Sequence, residues 1–203
     1  MVLTVDNNEC SDNSSLCESD YQELSVRSRS RQLLQDIIEI DQDYGRVLYV
    51  GQREMVVVGH EDDIDIVGSD LATTCHIVIM RHEKTGVTAM GHIDTDNSRQ
   101  ISDLVSDVID KVGGENGDIH VSLIGGYNDS GGVSAGIREV IMNYLIHSKV
   151  SFILGHFCVG DINTIVADSI SKPRVFGAAV DVKSEKVFCA SFSTKVKPLL
   201  IPF

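Results

Sequence analysis

The stretch Gly68-Ser69-Asp70-Leu71-Ala72-Thr73-Thr74-Cys75-His76-Ile77-Val78-Ile79, with its return leg over residues 87–94, constrains this chain more than any other. A polar, small-residue approach ends at a cysteine, a β-branched run follows, a glycine turn reverses the chain, and a second run delivers His92. Two antiparallel strands with a loop centred on Glu83-Lys84 place Cys75 directly opposite His92. With the loop one residue later, at Lys84-Thr85, Asp94 stands opposite Cys75 and His92 lies on a near diagonal. Either register brings a thiol and an imidazole within reach of one another, the minimum geometry for an activated thiolate nucleophile.

The rest of the composition bounds what such a hairpin can belong to. With 203 residues, 42% hydrophobic and 23% charged, the chain suits one ordinary globular domain. A formal net charge of -13 argues against nucleic acid or an anionic membrane as partner, because phosphates are repelled, and favours a cationic or amino-terminal substrate. Residues 1–24 hold Asp6, Glu9, Asp12, Glu18, Asp20 and Glu23 with no Lys or Arg, so residues 1–27 read as an acidic, solvated and disordered head. Five cysteines without a CxxC pair, no signal peptide and no apolar run of bilayer length point to a reducing compartment, cytoplasmic or nuclear. Cys10 and Cys17 fall in the head, whereas Cys158 and Cys189 sit inside apolar runs and read as inert core. None of the seven histidines forms an HExxH motif, and His156 with Cys158 is too little for zinc; no metal and no cofactor are expected.

Taken in order, residues 28–40 place Leu33, Leu34, Ile37 and Ile38 at helical spacing and predict a short helix. Compact β-rich runs at 46–50, 54–58 and 64–67 predict a meander leading into the cysteine segment. After His92, an amphipathic helix carries Ile101, Leu104, Val105, Val108, Ile109 and Val112, with Asn97 and Gln100 as a capping box and Gly113-Gly114 as a stop. A strand over 119–124 runs into Gly125-Gly126, a second helix covers 131–146, and a strand follows at 150–159. Residues 175–182 and 186–192 make a last hairpin across Lys183-Ser184-Glu185. Hairpins with two intervening helices imply an α/β or α+β layered sandwich, a mixed and mostly antiparallel sheet with packed helices.

Several blocks resemble a known family. Tyr49-Val50-Gly51-Gln52-Arg53-Glu54, the segment from Gly68-Ser69-Asp70 through Ala72-Thr73-Thr74-Cys75-His76-Ile77-Val78, and Leu123-Ile124-Gly125-Gly126-Tyr127-Asn128-Asp129 closely resemble the protein N-terminal asparagine amidohydrolases. The likeness runs from about residue 47 to about 192 and ends with Phe176-Gly177-Ala178-Ala179-Val180 and Ala190-Ser191-Phe192. More distantly, the approach to the cysteine, Gly91-His92 and Gly125-Gly126 are similar to the bacterial glutamine deamidases of the CheD family. The resemblance implies a CheD-like deamidase fold over residues 28–193 and hydrolysis of the side-chain amide of an amino-terminal asparagine to aspartate. It also implies a place in the N-degron pathway, where a destabilising amino terminus marks proteins for degradation. Residues 194–203 form an apolar tail with Pro198 and Pro202, where family members continue, so a shortened form is expected.

Amide hydrolysis assigns roles to particular residues. It needs a nucleophile, a proton shuttle that can protonate departing ammonia, and donors aimed at the oxyanion. Cys75 is the candidate nucleophile, and His92 the acid and base. His76, next in the chain, points to the opposite face of an extended strand. Ser69 is the choice for orienting the ring, since the bacterial deamidases carry a hydroxyl six residues before their cysteine; Asp94 and Asp70 compete for that role. Thr73 and Thr74 are candidate oxyanion donors, or turn residues. Asp70 or Glu54 is the candidate to match the substrate's α-ammonium, and Gly125-Gly126 reads as a close backbone approach. The expected partners are proteins or peptides beginning with Asn, and a monomer is expected. The alternative is a catalytically inactive paralogue or splice product that binds a peptide or a partner.

Overall fold

The computed structural model describes residues 3–5, 8–9, 18–27, 33–34, 36–114 and 116–193. In chain order the strands and helices are β1 (Leu3–Val5), β2 (Asn8–Glu9), α1 (Glu18–Arg27), β3 (Ile37–Ile40), β4 (Val47–Tyr49), β5 (Met55–Val58), β6 (Ile66–Ser69), β7 (His76–His82) and β8 (Thr88–Ile93). They continue as α2 (Arg99–Val112), β9 (Ile119–Gly125), α3 (Val133–His147), β10 (Phe152–Cys158), β11 (Thr164–Ala167), β12 (Ile170–Pro173), β13 (Ala178–Asp181) and β14 (Val187–Phe192).

The core explains why β7 reads as one continuous apolar run. Successive side chains on a strand alternate faces, and both faces of β7 are covered. Val78 and Met80 pack with Leu104, Val105, Ile137 and Ile141 of the helices. Ile77 and Ile79 pack with Val67, Ala178 and Val180 of a second sheet. The molecule is therefore a layered α+β sandwich. Helices cover one face of a seven-stranded sheet of order β2-β1-β10-β9-β7-β8-β5, and a five-stranded sheet of order β3-β14-β13-β6-β4 covers the other. Both sheets are mixed: antiparallel pairs are the majority in the seven-stranded sheet, and the five-stranded sheet has two of each kind.

The β7–β8 hairpin settles the register. His76 pairs with Ile93 and Ile77 with His92, so Cys75 stands opposite Asp94 and the loop is centred on Lys84-Thr85. The alternative centred on Glu83-Lys84 is overturned. Local chemistry fixes the choice: Gly86 takes a left-handed φ of 71°, its N–H donates to the His82 carbonyl, and His82 Nδ1 lies 2.8 Å from the Thr85 hydroxyl.

Other expectations need correction. Within residues 28–40, Ile37–Ile40 is a strand parallel to β14, because pairing for a β-branched run outweighs its helical spacing. The runs at 46–50, 54–58 and 64–67 do form strands, but not a meander. β4 and β6 are parallel neighbours in one sheet while β5 pairs with β8 in the other. Asn97 and Gln100 do not make a capping box: Asn97 Oδ1 accepts from Arg99 N–H, and Gln100 Oε1 accepts from Asp94 N–H. Gly113 does stop α2, in the left-handed conformation with its N–H donated to Ile109 and Asp110 carbonyls.

Of the head expected to be disordered, the described residues are built into the domain. β1 pairs in parallel with β10, and Leu3, Tyr21 and Leu24 are buried in the helical-side core. Cys10 and Cys17, and the apolar tail over 194–203, lie outside the described residues.

Candidate active site

The two sheets meet at a seam where β6 and β8 approach, and Ser69 and His92 join across it. Ser69, buried at the end of β6, has its Oγ 2.9 Å from His92 Nδ1. The other ring nitrogen, Nε2, is buried and has no hydrogen-bond partner. His92 is held at the backbone as well: its N–H donates to Glu54 O and its carbonyl accepts from Arg53 N–H, both at 3.0 Å.

Cys75 lies half-buried on the same face of the seven-stranded sheet, one diagonal from His92 and packed against the core between the sheets. His76 takes the other face, where it is fully buried, and burial with the nearby Arg138 charge pushes its imidazole down to about 3. Gly125 allows the chain to approach the cysteine closely. At its φ of 99°, a Cβ would stand 2.9 Å from the Cys75 carbonyl oxygen.

Charge around the thiol is balanced between two groups. Burial pushes the Cys75 thiol up, and the Asp94 carboxylate opposite adds to the rise; a hydrogen bond with Thr74 and the Arg53 guanidinium pull it down without overcoming them. Burial likewise pushes His92 down, against the charges of Asp94 and Asp70. Asp94 Oδ2 accepts from Arg53 Nε at 2.6 Å and from Gln52 Nε2 at 2.7 Å. Burial alone would raise the Asp94 carboxyl, yet these donors hold it below the usual carboxylate range.

The remaining candidates sit around this centre. Asp70 is buried with both oxygens engaged, Oδ1 by the Tyr49 hydroxyl at 2.7 Å and Oδ2 by the Phe192 amide at 2.9 Å. Burial and that contact push the Tyr49 phenol up. Glu54 is exposed on the turn before β5, and its Oε2 accepts from Gly51 N–H at 2.7 Å. Thr73 is exposed, with its N–H donated to the Leu71 carbonyl at 2.9 Å; Thr74 is half-buried. Leu71 is 69% exposed at a left-handed φ of 61°, an unfavourable conformation for a branched side chain, held beside the cysteine loop. Ala72 N–H, donated to the Phe176 carbonyl, ties that loop to the segment before β13.

Sequence reasoning missed Arg53 and Gln52 as site residues. The available signal was their place inside the block Tyr49-Val50-Gly51-Gln52-Arg53-Glu54 that carries the family resemblance. Among the described residues, no group of three His, Cys, Asp or Glu side chains could hold a metal ion, and no helix is long and apolar enough to cross a membrane.

Comparison with known proteins gives a consistent result. The family model described as protein N-terminal asparagine amidohydrolase matches residues 39–198. The chain is similar to the protein of that name from Sus scrofa, at 33% identity over 151 residues, 72% of this chain and 48% of that protein. For the Mus musculus protein the values are 32% over 152 residues, covering 73% and 49%. For the Arabidopsis thaliana protein they are 38% over 90 residues, covering 41% and 24%. The chain spans about half the length of the curated mammalian relatives it matches.

Proposed function

The chain belongs to the protein N-terminal asparagine amidohydrolase family, and on that premise we propose that it hydrolyses the side-chain amide of an amino-terminal asparagine through a Cys75 thioester. The observation that carries the reading is the Ser69–His92 bond across the two sheets, which occupies Nδ1 and leaves Nε2 unpartnered on the face that Cys75 shares. With Nδ1–H donated to Ser69 Oγ, Nε2 keeps its lone pair for the thiol proton.

Cys75 Sγ attacks the carboxamide carbon as its proton passes to His92. The resulting oxyanion is met by the amides of Cys75 and Thr74 and by the Thr73 or Thr74 hydroxyl. His92 returns the proton to the amide nitrogen, the C–N bond breaks and ammonia leaves. Water, giving a proton to His92, attacks the thioester and frees an aspartate side chain and the thiol. Glu54, exposed at the rim with one oxygen committed to Gly51, faces the α-ammonium, and Asp70 contributes its charge while bracing Tyr49 and Phe192. Converting Asn to Asp at an amino terminus places the reaction in the N-degron pathway, in the cytoplasm or nucleus.

The test is ammonia release from a peptide beginning with Asn, against an acetylated copy and one beginning with Gln. Turnover of the first alone, lost by at least about 10³-fold in Cys75→Ala, supports the proposal; equal turnover in Cys75→Ala overturns it. One observation favours a second reading, a domain that binds such peptides without turning them over: Cys75 is half-buried opposite the Asp94 carboxylate, and both push its thiol up rather than down. Binding of the Asn peptide with no ammonia released is the outcome that selects it.

A further inference from the structure

We propose that Arg53 is a positioning residue that neutralises Asp94, so that a thiolate can form at Cys75 directly opposite a buried carboxylate. The inference rests on Cys75 as the reacting group of the proposed reaction, but not on any turnover.

The register puts Asp94 across from Cys75 on the face both share, and the Asp94 side chain is 5% exposed. Two negative charges so placed disfavour one another, and low solvent access leaves little screening. A thiolate there needs the carboxylate's charge taken up by a fixed cation. Arg53 is that cation: its side chain is 75% exposed, but Nε stands 2.6 Å from Asp94 Oδ2. Its backbone is locked in place too, at a left-handed φ of 68° with its N–H donated to the carbonyl of His92. An arginine held in this conformation beside the site is the kind of local strain that folds retain where geometry matters. Gln52, the residue before, donates to the same oxygen and keeps the carboxylate oriented.

The other groups facing Cys75 do not take this part. From β8 there are His92, whose ring is engaged with Ser69, and Asp94 itself. Asp70, in the loop after β6, acts on His92 and is itself a carboxylate with both oxygens committed. Gly125 at the end of β9, Gly126 after it, and Phe176 and Gly177 before β13 carry no charge. The guanidinium and the thiol also act on one another electrostatically, the cation drawing the thiol down.

The experiment reads the thiol itself. Alkylation of Cys75 by iodoacetamide is followed by peptide-level mass spectrometry from about pH 6 to about pH 11, in the unaltered protein and in Arg53→Gln, Arg53→Lys, Asp94→Asn and the Arg53→Gln/Asp94→Asn double variant. Arg53→Gln is expected to move the midpoint up by about one unit, a roughly tenfold loss of reactivity near neutral pH. Asp94→Asn is expected to move it down, Arg53→Lys to stay nearer the unaltered protein, and the double variant to lose most of the Arg53→Gln effect. An unchanged or lowered midpoint in Arg53→Gln overturns the proposal. If that variant does not fold, Arg53→Met replaces it; if neither folds, failure of Asp94→Asn to lower the midpoint overturns it. A shifted midpoint in a protein that releases no ammonia rejects the hydrolase reading and leaves this inference standing, and an active protein with an unshifted midpoint does the reverse.

Discussion

At the scale of single residues, the proposed chemistry turns on His92, whose Nδ1 lies 2.9 Å from Ser69 Oγ while Nε2 is buried without a hydrogen-bond partner. Ser69→Ala removes the partner of Nδ1 and lets the ring change tautomer. Turnover of an Asn-initiated peptide is expected to fall about 10- to 100-fold, less than the full contribution of a general acid and base. Ser69→Thr, which keeps the hydroxyl, is expected to retain more activity than Ser69→Ala; equal losses would make the bond incidental. The neighbouring His76 bears on stability instead. Its imidazole is buried without a hydrogen-bond partner and depressed to about 3, so between that value and the ordinary 6.5 the unfolded chain binds the extra proton. Stability is therefore expected to fall as pH drops from about 6.5 toward 3, by on the order of 1.4 kcal/mol per unit from this residue. Urea melts of the unaltered protein and of His76→Asn at pH 7 and pH 5 check the sign: the acid-side slope should flatten in the variant.

At the scale of elements, the β7–β8 hairpin and the glycines behind it set the positions that the residues use. Gly125 passes against the Cys75 carbonyl at a left-handed φ, so Gly125→Ala requires both a strained backbone and a displaced cysteine strand. It is expected to cost about 1–3 kcal/mol in urea unfolding and to reduce Cys75 turnover. The hairpin, α2 and α3 were legible in the sequence because their apolar spacing is strong and local turn chemistry ends them, as Gly113 does for α2. β3 was not, since Ile37 and Ile38 owe their conformation to β14, where their partners Cys189 and Ala190 lie 152 residues further along the chain, and spacing cannot report a partner. The β11–β12 hairpin, turned at Asp168 and Ser169 with φ of 52° and 62°, carried no glycine to mark it. The same division holds at the site. Cys75 and His92 stand out by residue type and spacing, and Ser69 through the likeness to the bacterial deamidases, whereas Arg53 enters through a β5–β8 pairing that only the assembled sheet displays.

At the scale of the whole molecule, the seam that carries the candidate site exists because two sheets pack face to face, and the described part of the acidic head helps brace the outer edge of one of them. Tyr21 stacks on Phe157 with ring centroids 6.1 Å apart, and the Arg138 guanidinium lies 4.0 Å from its centre. Tyr21→Ala is expected to lower stability by about 3 kcal/mol, measured by denaturant unfolding, while leaving the pH dependence of Cys75 alkylation unchanged. The proposed reaction requires Cys75 and His92 to act as one unit. Its most direct test is an acid quench of the protein mixed with an Asn-initiated peptide, followed by intact and peptide-level mass spectrometry. The predicted result is an adduct on Cys75 lighter than the sum of the two by one ammonia, absent in Cys75→Ala and strongly diminished in His92→Ala. Ammonia released at the same rate by the protein and by Cys75→Ala, with no adduct in either, would contradict it.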